Sequence, residues 1–190
     1  MIERMNPAIR RRDLLRGAGI AAITVSAWSG RGAFAASAAG TVTIVAFTDK
    51  GEAQPPAPVA KIVMSDAEWK AKLPPASYAV LRHAGTERPF SGALLNEHGK
   101  RKFPCLGSHT ALFDSATKFD SGTGWPSFWK PIAKENIASQ DDTSLGMDRE
   151  EVKCARCDGH LGHVFDDGPR PTGLRYCMNS VSLKFTPIVA

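Results

Sequence analysis

The sequence predicts a mainly β (α+β) domain: small antiparallel sheets around one core, with one or two helices on the N-terminal side. Three observations carry this. Between Leu174 and Phe185 apolar and polar residues alternate, Leu174, Tyr176 and Met178 against Arg175, Cys177 and Asn179, then Val181, Leu183 and Phe185 against Ser182 and Lys184. Period two marks a strand with one face in the core. Gly159, Gly162, Gly168, Pro169, Pro171 and Gly173 cut the stretch from Cys154 to Phe185 into short pieces, so its functional groups can converge from different turns. The helix signals fall earlier, between Ser65 and Gly85.

Residues 1–38 read as an export signal. Arg11-Arg12-Asp13-Leu14-Leu15-Arg16 resembles the twin-arginine motif, two arginines ahead of a hydrophobic pair and a basic residue. The apolar run from Gly17 to Trp28 is too short and too rich in Gly, Ala and Ser for a membrane span, and Ala33-Phe34-Ala35 and Ala36-Ser37-Ala38 both fit the small-residue rule for cleavage. An uncleaved amphipathic or disordered N-terminus is the competing reading. An export signal implies a periplasmic protein that meets the membrane only during export, already folded.

Residues 39–60 read as an N-terminal strand (Thr41 to Thr48) and a linker, in which Pro55, Pro56 and Pro58 disfavour regular pairing. The main domain is expected over 61–187. Ser65-Asp66-Ala67-Glu68 is a capping box opening a helix that stops before Pro74-Pro75. Ser77 to Ala84 reads as a second helix ended by Gly85. Polar loops follow. Phe103 to Phe113 carries Cys105; Gly122-Thr123-Gly124-Trp125-Pro126-Ser127-Phe128-Trp129 reads as a turn packed on a core; Met147 to Lys153 reads as a strand.

The chain carries +5, but residues 1–38 hold six arginines against Glu3 and Asp13, so the remainder is only +1. A nearly neutral domain has no general electrostatic reason to bind nucleic acid.

Single motifs are weak. Cys154 and Cys157 could be a metal knuckle, a disulfide or a redox pair, and a lone strand cysteine is most often a small hydrophobe. Together they say more. Cys177 lies on the polar side of a strand beside Arg175, with His160 and His163 upstream. A neighbouring cation favours the thiolate, and an imidazole can pass a proton to a leaving oxygen.

Gly122–Trp129, His160–Gly173 (HLGHVFDDGPRPTG) and Arg175–Ser180 (RYCMNS) resemble the signatures of B-type methionine-R-sulfoxide reductases, over about Ser65 to Phe185. The A-type pattern, Gly-Cys-Phe, does not occur. The resemblance implies Cys177 as nucleophile and Trp125 against the sulfoxide methyl. It implies His160 and His163 holding and protonating the oxygen, and Asp167, Arg175 and Asn179 orienting those groups and stabilising the thiolate. The substrate would be oxidised protein or free methionine sulfoxide, and the reductant an external thioredoxin-like or other thiol, with no organic cofactor.

Two departures stand out. Thr123 occupies the position of a second, resolving cysteine in many members. Of two Cys-x-x-Cys zinc pairs, Cys154 and Cys157 remain, but the other has become Cys105-Leu106-Gly107-Ser108. Serine is a poor zinc ligand, which leaves a structural zinc on Cys105, Cys154 and Cys157 open, with His109 as candidate fourth ligand. The competing functions are a non-catalytic zinc-ribbon-like binding module and a thiol–disulfide exchanger at Cys154 and Cys157. A bare scaffold has no need of Cys177, Trp125 and both histidines, and the exchanger lacks its βαβ context.

Overall fold

The computed structural model describes residues 40–143 and 149–187. The export signal and Met147 lie outside the described residues. Strands β1 (Thr41–Ile44) and β2 (Ala57–Ala60) precede helices α1 (Asp66–Lys72) and α2 (Pro75–His83). Strands β3 (Arg101–Pro104), β4 (Ala111–Asp114), β5 (Lys118–Phe119), β6 (Ser127–Phe128), β7 (Ile137–Asp142), β8 (Arg149–Cys154), β9 (His160–Phe165), β10 (Arg175–Met178) and β11 (Thr186–Pro187) follow. They form a six-stranded sheet in the order β5-β6-β10-β9-β8-β7, a three-stranded sheet in the order β11-β3-β4, and the hairpin-like pair β1-β2. Every pairing is antiparallel. The mainly β architecture with two helices near the start is the one expected.

One core joins the sheets. Phe128 stacks on Phe113 at 4.5 Å and meets Phe103 edge-on at 5.1 Å. Trp69, Leu81, Leu112, Val152, Leu161 and Met178 complete it. Met178 faces inward and Cys177 lies on the opposite side of β10, as the alternation requires.

The capping box at Ser65 forms: Ser65 Oγ accepts from the Glu68 N–H, and Glu68 Oε2 accepts from the Ser65 N–H at 2.7 Å. Helix α2 starts two residues earlier than expected, with Pro75 in its first turn, where a missing N–H costs nothing. It is capped by Ala84, left-handed at φ 51°, just before the Gly85 expected to end it.

Two expectations fail for physical reasons. The Pro-rich linker does pair: Pro58 sits opposite Thr43. The Lys61 N–H bonds to the Gly40 carbonyl, so alternation puts Thr43 and Pro58 at a pair without ladder hydrogen bonds, where proline loses nothing. The expected strand Thr41 to Thr48 is correspondingly short, ending at Ile44. The second failure lies after Met178. The period-two strand does not continue; Ser180–Ser182 form a 3-10 turn. The Glu87 carboxylate accepts from the N–H groups of Ser180 (2.5 Å) and Val181 (3.1 Å), and Ser182 Oγ donates to the Asn179 carbonyl. These bonds favour the turn over a ladder.

Asn136, fully buried, fixes the N-terminal segment to this body. Its Oδ1 accepts from Val45 N–H, and its Nδ2 donates to the carbonyls of Val45 and Ala111, at 2.7–2.8 Å.

Candidate active site

Cys177 is at the centre of the main sheet. Across the ladder it faces Ser127 on β6 and His163 on β9, and His163 in turn faces Glu151 on β8. A side chain on Gly162 would meet the Cys177 carbonyl at 2.1 Å, so the close β9–β10 approach requires glycine there.

His160 and His163 are three residues apart, which in a regular strand puts them on opposite faces. A bulge between β8 and β9 corrects this: Val152 pairs with Gly162, but Lys153 pairs with His160, leaving Leu161 as the extra residue. Both rings then lie on one side, 5.3 Å apart. His160 Nδ1 lies 2.7 Å from Glu151 Oε1, and His163 Nε2 lies 2.9 Å from Asp142 Oδ2. Burial holds His160 below its ordinary pKa against the pull of Glu151. A neutral ring donating Nδ1–H to Glu151 keeps a lone pair at Nε2, which is buried and has no hydrogen-bond partner among the described residues. At neutral pH His160 therefore offers an acceptor, where the sequence suggested a proton donor.

Arg175 is buried and forms a two-pronged pair with Asp167, Nε to Oδ1 and Nη2 to Oδ2 both at 2.8 Å, while its guanidinium lies over the Phe165 ring at 4.4 Å. That pair holds the Asp167 carboxyl below its usual range. Burial pushes the Cys177 thiol up; Thr123, Arg175 and Ser127 pull the other way and recover only part of the shift. The expected net lowering by Arg175 is thus outweighed by burial.

Hydroxyls surround the thiol. Thr123 Oγ1 is 3.9 Å from Cys177 Sγ, and Ser121 Oγ bridges Thr123 Oγ1 (2.8 Å) and Ser127 Oγ (2.7 Å). The turn is held by Gly124 (φ 91°), where an added Cβ would meet Phe90 N at 2.8 Å. The Trp125 indole donates to the Glu87 carbonyl at 3.1 Å.

Cys177 opens on a cavity of about 140 Å³ that is lined also by Thr86, Trp125, Arg149, Gly162, His163 and Asn179, among others. His160 lines an adjoining cavity that shares Thr86 and His163. Asn179 lies just past the strand end; its Oδ1 accepts from Glu87 N–H and its Nδ2 donates to the Leu161 carbonyl. Neither Asp167 nor Arg175 lines either cavity, although the Arg175 charge acts on the Cys177 thiol; the arginine that lines both is Arg149. A larger cleft of about 540 Å³, between Asp141 and Leu174, contains no thiol or imidazole, so the chemistry belongs to the smaller one.

The remaining thiols form a second group. The sulfurs of Cys105, Cys154 and Cys157 lie within 4.8 Å of one another, all buried. The Cys105–Cys157 separation of 3.7 Å matches the roughly 3.8 Å between two corners of a tetrahedron with Zn–S bonds of about 2.3 Å. Cys154 is held well below the ordinary thiol pKa by donors on Cys105 and Cys157, while Cys105 is pushed well above it. Beside these thiols lies Ser108, whose Oγ is 3.1 Å from Cys154 Sγ. The His109 expectation is corrected here. The 105–110 turn closes through the Cys105 N–H to Thr110 carbonyl bond and the His109 N–H to Cys105 carbonyl bond. It turns Ser108 inward and leaves His109, at φ 62°, exposed and outside the cluster.

Residues 73–187 match the family model described as the SelR domain. The chain belongs to the SelR family. It is 52% identical over 127 residues to the peptide methionine sulfoxide reductase MsrB of Bradyrhizobium diazoefficiens, spanning 67% of this chain and 91% of that protein. The MsrB proteins of Pseudomonas putida (55% over 127 residues, 67% of this chain and 96% of that one) and Methanosarcina mazei (54% over 126 residues, 66% and 90%) are similarly related. The SelR match covers both the Cys177 cavity and the three-thiol group.

Sequence reasoning missed several members of the site. Glu151 is two residues before Lys153 on a strand, and that alternation could have placed it beside a histidine. No local pattern marks Asp142, Ser121 or Glu87, which reach the site from distant loops and edges.

Proposed function

We propose that the chain reduces the R epimer of methionine sulfoxide, in proteins or free, at Cys177. The observation that carries this is the convergence of Cys177, Trp125 and His163 on one small cavity of a SelR domain. The Cys177 sulfur attacks the sulfoxide sulfur, the sulfoxide oxygen is transferred, and the thiol proton ends on that oxygen. The products are the thioether of methionine and a Cys177 sulfenic acid, so atoms and electrons balance without another reactant. A thiol kept protonated by burial supplies its own proton. Thr123 and Ser127 hydroxyls and the Arg175 guanidinium stabilise the thiolate as it forms. The Nε2 lone pair of His160 accepts from a water in the adjoining cavity, and the ring of His163 orients the transferring oxygen. Trp125 walls the methyl side, Asp167 fixes Arg175, and Asn179 fixes the β10 end. Two equivalents of an external thiol, thioredoxin-like or other, then regenerate Cys177 and release water. The residues of a non-catalytic module would not need to converge in this way.

The test is turnover of resolved sulfoxides with dithiothreitol. The R form should be consumed at least about a hundredfold faster than the S form, about 2.7 kcal/mol in barrier. Equal rates would reject the epimer assignment.

The three thiols fit three corners of a structural zinc site, and Ser108 leaves the fourth weak. When bound, zinc would tie the β3–β4 turn to the β8–β9 knuckle. Elemental analysis should find about one zinc per chain, lost in Cys154→Ala; a metal-free, equally stable wild type would refute it.

Export by the twin-arginine route to the periplasm rests on the order of charged, apolar and small residues in 1–38. A reporter fused to residues 1–40 should be exported, and retained inside when Arg11 and Arg12 are both changed to lysine. Export by the double variant would discard the route.

A further inference from the structure

Trp125 and Cys177 belong to separate segments. Strand β6, which follows Trp125, pairs with β10 through only two residues, Ser127 and Phe128. That ladder fixes Ser127 beside the thiol but leaves the indole, on the preceding turn, without a strand partner. Its one hydrogen bond runs from Nε1 to the Glu87 carbonyl.

Glu87 itself is tied down on three sides. Its N–H donates to Asn179 Oδ1 at 2.9 Å, and its carboxylate accepts from the N–H groups of Ser180 and Val181. The surrounding loop is closely seated. Phe90 N–H donates to the Gly124 carbonyl at 2.8 Å, and an added Cβ on Gly92 would meet Ser180 Oγ at 2.1 Å and Glu87 Oε1 at 2.7 Å. One carboxylate therefore clamps the 85–92 loop to the turn that follows the nucleophile strand, and the same residue's carbonyl holds the indole. Thr86, the residue before it, lines both the thiol and the histidine cavities.

We propose that Glu87 is the positioning residue of the substrate wall: its carboxylate anchors the 85–92 loop to the turn after β10, and its carbonyl thereby sets the Trp125 indole over the Cys177 cavity. It touches no reacting atom and acts through Trp125. In Glu87→Gln one of the two acceptors becomes an amide N–H facing a backbone N–H, so the clamp loses one bond and gains a repulsion. Freed from its carbonyl partner, the indole samples orientations that do not contact the substrate. Substrate binding weakens with little change in the chemical step, a rise in KM more than a fall in kcat.

The kinetic arm rests on the proposed reductase activity; a second arm does not. In tryptophan-labelled protein, hydrogen exchange of the Trp125 indole N–H, assigned through Trp125→Phe, should speed up at least about tenfold in Glu87→Gln. The buried Trp69 indole reports global opening and should stay unchanged. Unchanged Trp125 exchange would overturn the proposal, and so would equal acceleration of both indoles, which means general destabilisation. In kinetics, Glu87→Gln should raise KM roughly tenfold with kcat within about twofold, and the effect should vanish when introduced into Trp125→Ala. Full additivity of the two substitutions would show that Glu87 does not act through the indole. A wild type inactive on both sulfoxides would remove the activity reading and leave the exchange result to decide the role of Glu87.

Discussion

Replacing Cys177 by serine should abolish sulfoxide reduction, lowering kcat/KM by at least about a thousandfold, about 4 kcal/mol in barrier. The reasons are chemical and local. A serine hydroxyl is far less acidic than a thiol and a poor nucleophile toward sulfur, and it cannot store the transferred oxygen as a sulfenic acid. The other thiols cannot substitute for it. Cys105, Cys154 and Cys157 point into their own buried group, and none lines the cavity with Trp125 and His163. The fold should be untouched, because Cys177 is only half-buried and on the β10 side opposite Met178. Steady-state assays with dithiothreitol, beside a thermal melt, check both halves. Activity within about tenfold of wild type, a difference of about 1.4 kcal/mol, would remove Cys177 from the nucleophile's place. A collapsed melt would instead show that the thiol serves packing.

What the sequence revealed and what it hid follow one physical division. Local signals were readable: the Ser65–Glu68 capping box formed, the alternation around Cys177 placed Met178 inward and the thiol on the other side, and the cysteine pair at Cys154 and Cys157 landed together. Features decided at long range were not. The period-two pattern past Met178 gave way because a carboxylate 93 residues away captured the Ser180 N–H. Pro58 could pair because its missing N–H fell on the outer side of a two-stranded ladder, a matter of register and not of composition. The histidines share a face only because a bulge inserts Leu161 opposite β8. The charge on Arg175 was legible; the burial that outweighs it at the Cys177 thiol depends on the whole fold. His109 looked like a ligand by sequence adjacency, and a tight turn points it outward.

Placing a cysteine at position 123 should reroute the fate of Cys177. Thr123 Oγ1 lies 3.9 Å from the Cys177 sulfur, on a turn between Gly122 (φ 69°) and Gly124 (φ 91°). In the native chain no other thiol lines the Cys177 cavity. Cys105, Cys154 and Cys157 are buried and gathered within 4.8 Å of one another, where hydrogen bonds among themselves and with Ser108 engage their sulfurs. The sulfenic acid formed in one turnover should persist until an external thiol arrives. Excess R sulfoxide without reductant should thus yield one methionine per chain, and dimedone should label Cys177. In Thr123→Cys the new sulfur would need to approach by about 2 Å to reach disulfide length. Gly122 has nothing within 4 Å of an added Cβ, so that side of the turn has room to move. The same single turnover in the variant should release one methionine, consume two thiols and cut the dimedone adduct at Cys177 more than about tenfold. Peptide mapping should find the bond between positions 123 and 177, formed after methionine release by thiolate attack on the sulfenic sulfur with loss of water. A Cys105–Cys177 disulfide in the wild type, appearing as fast as methionine, would overturn this account and make Cys105 the resolving residue.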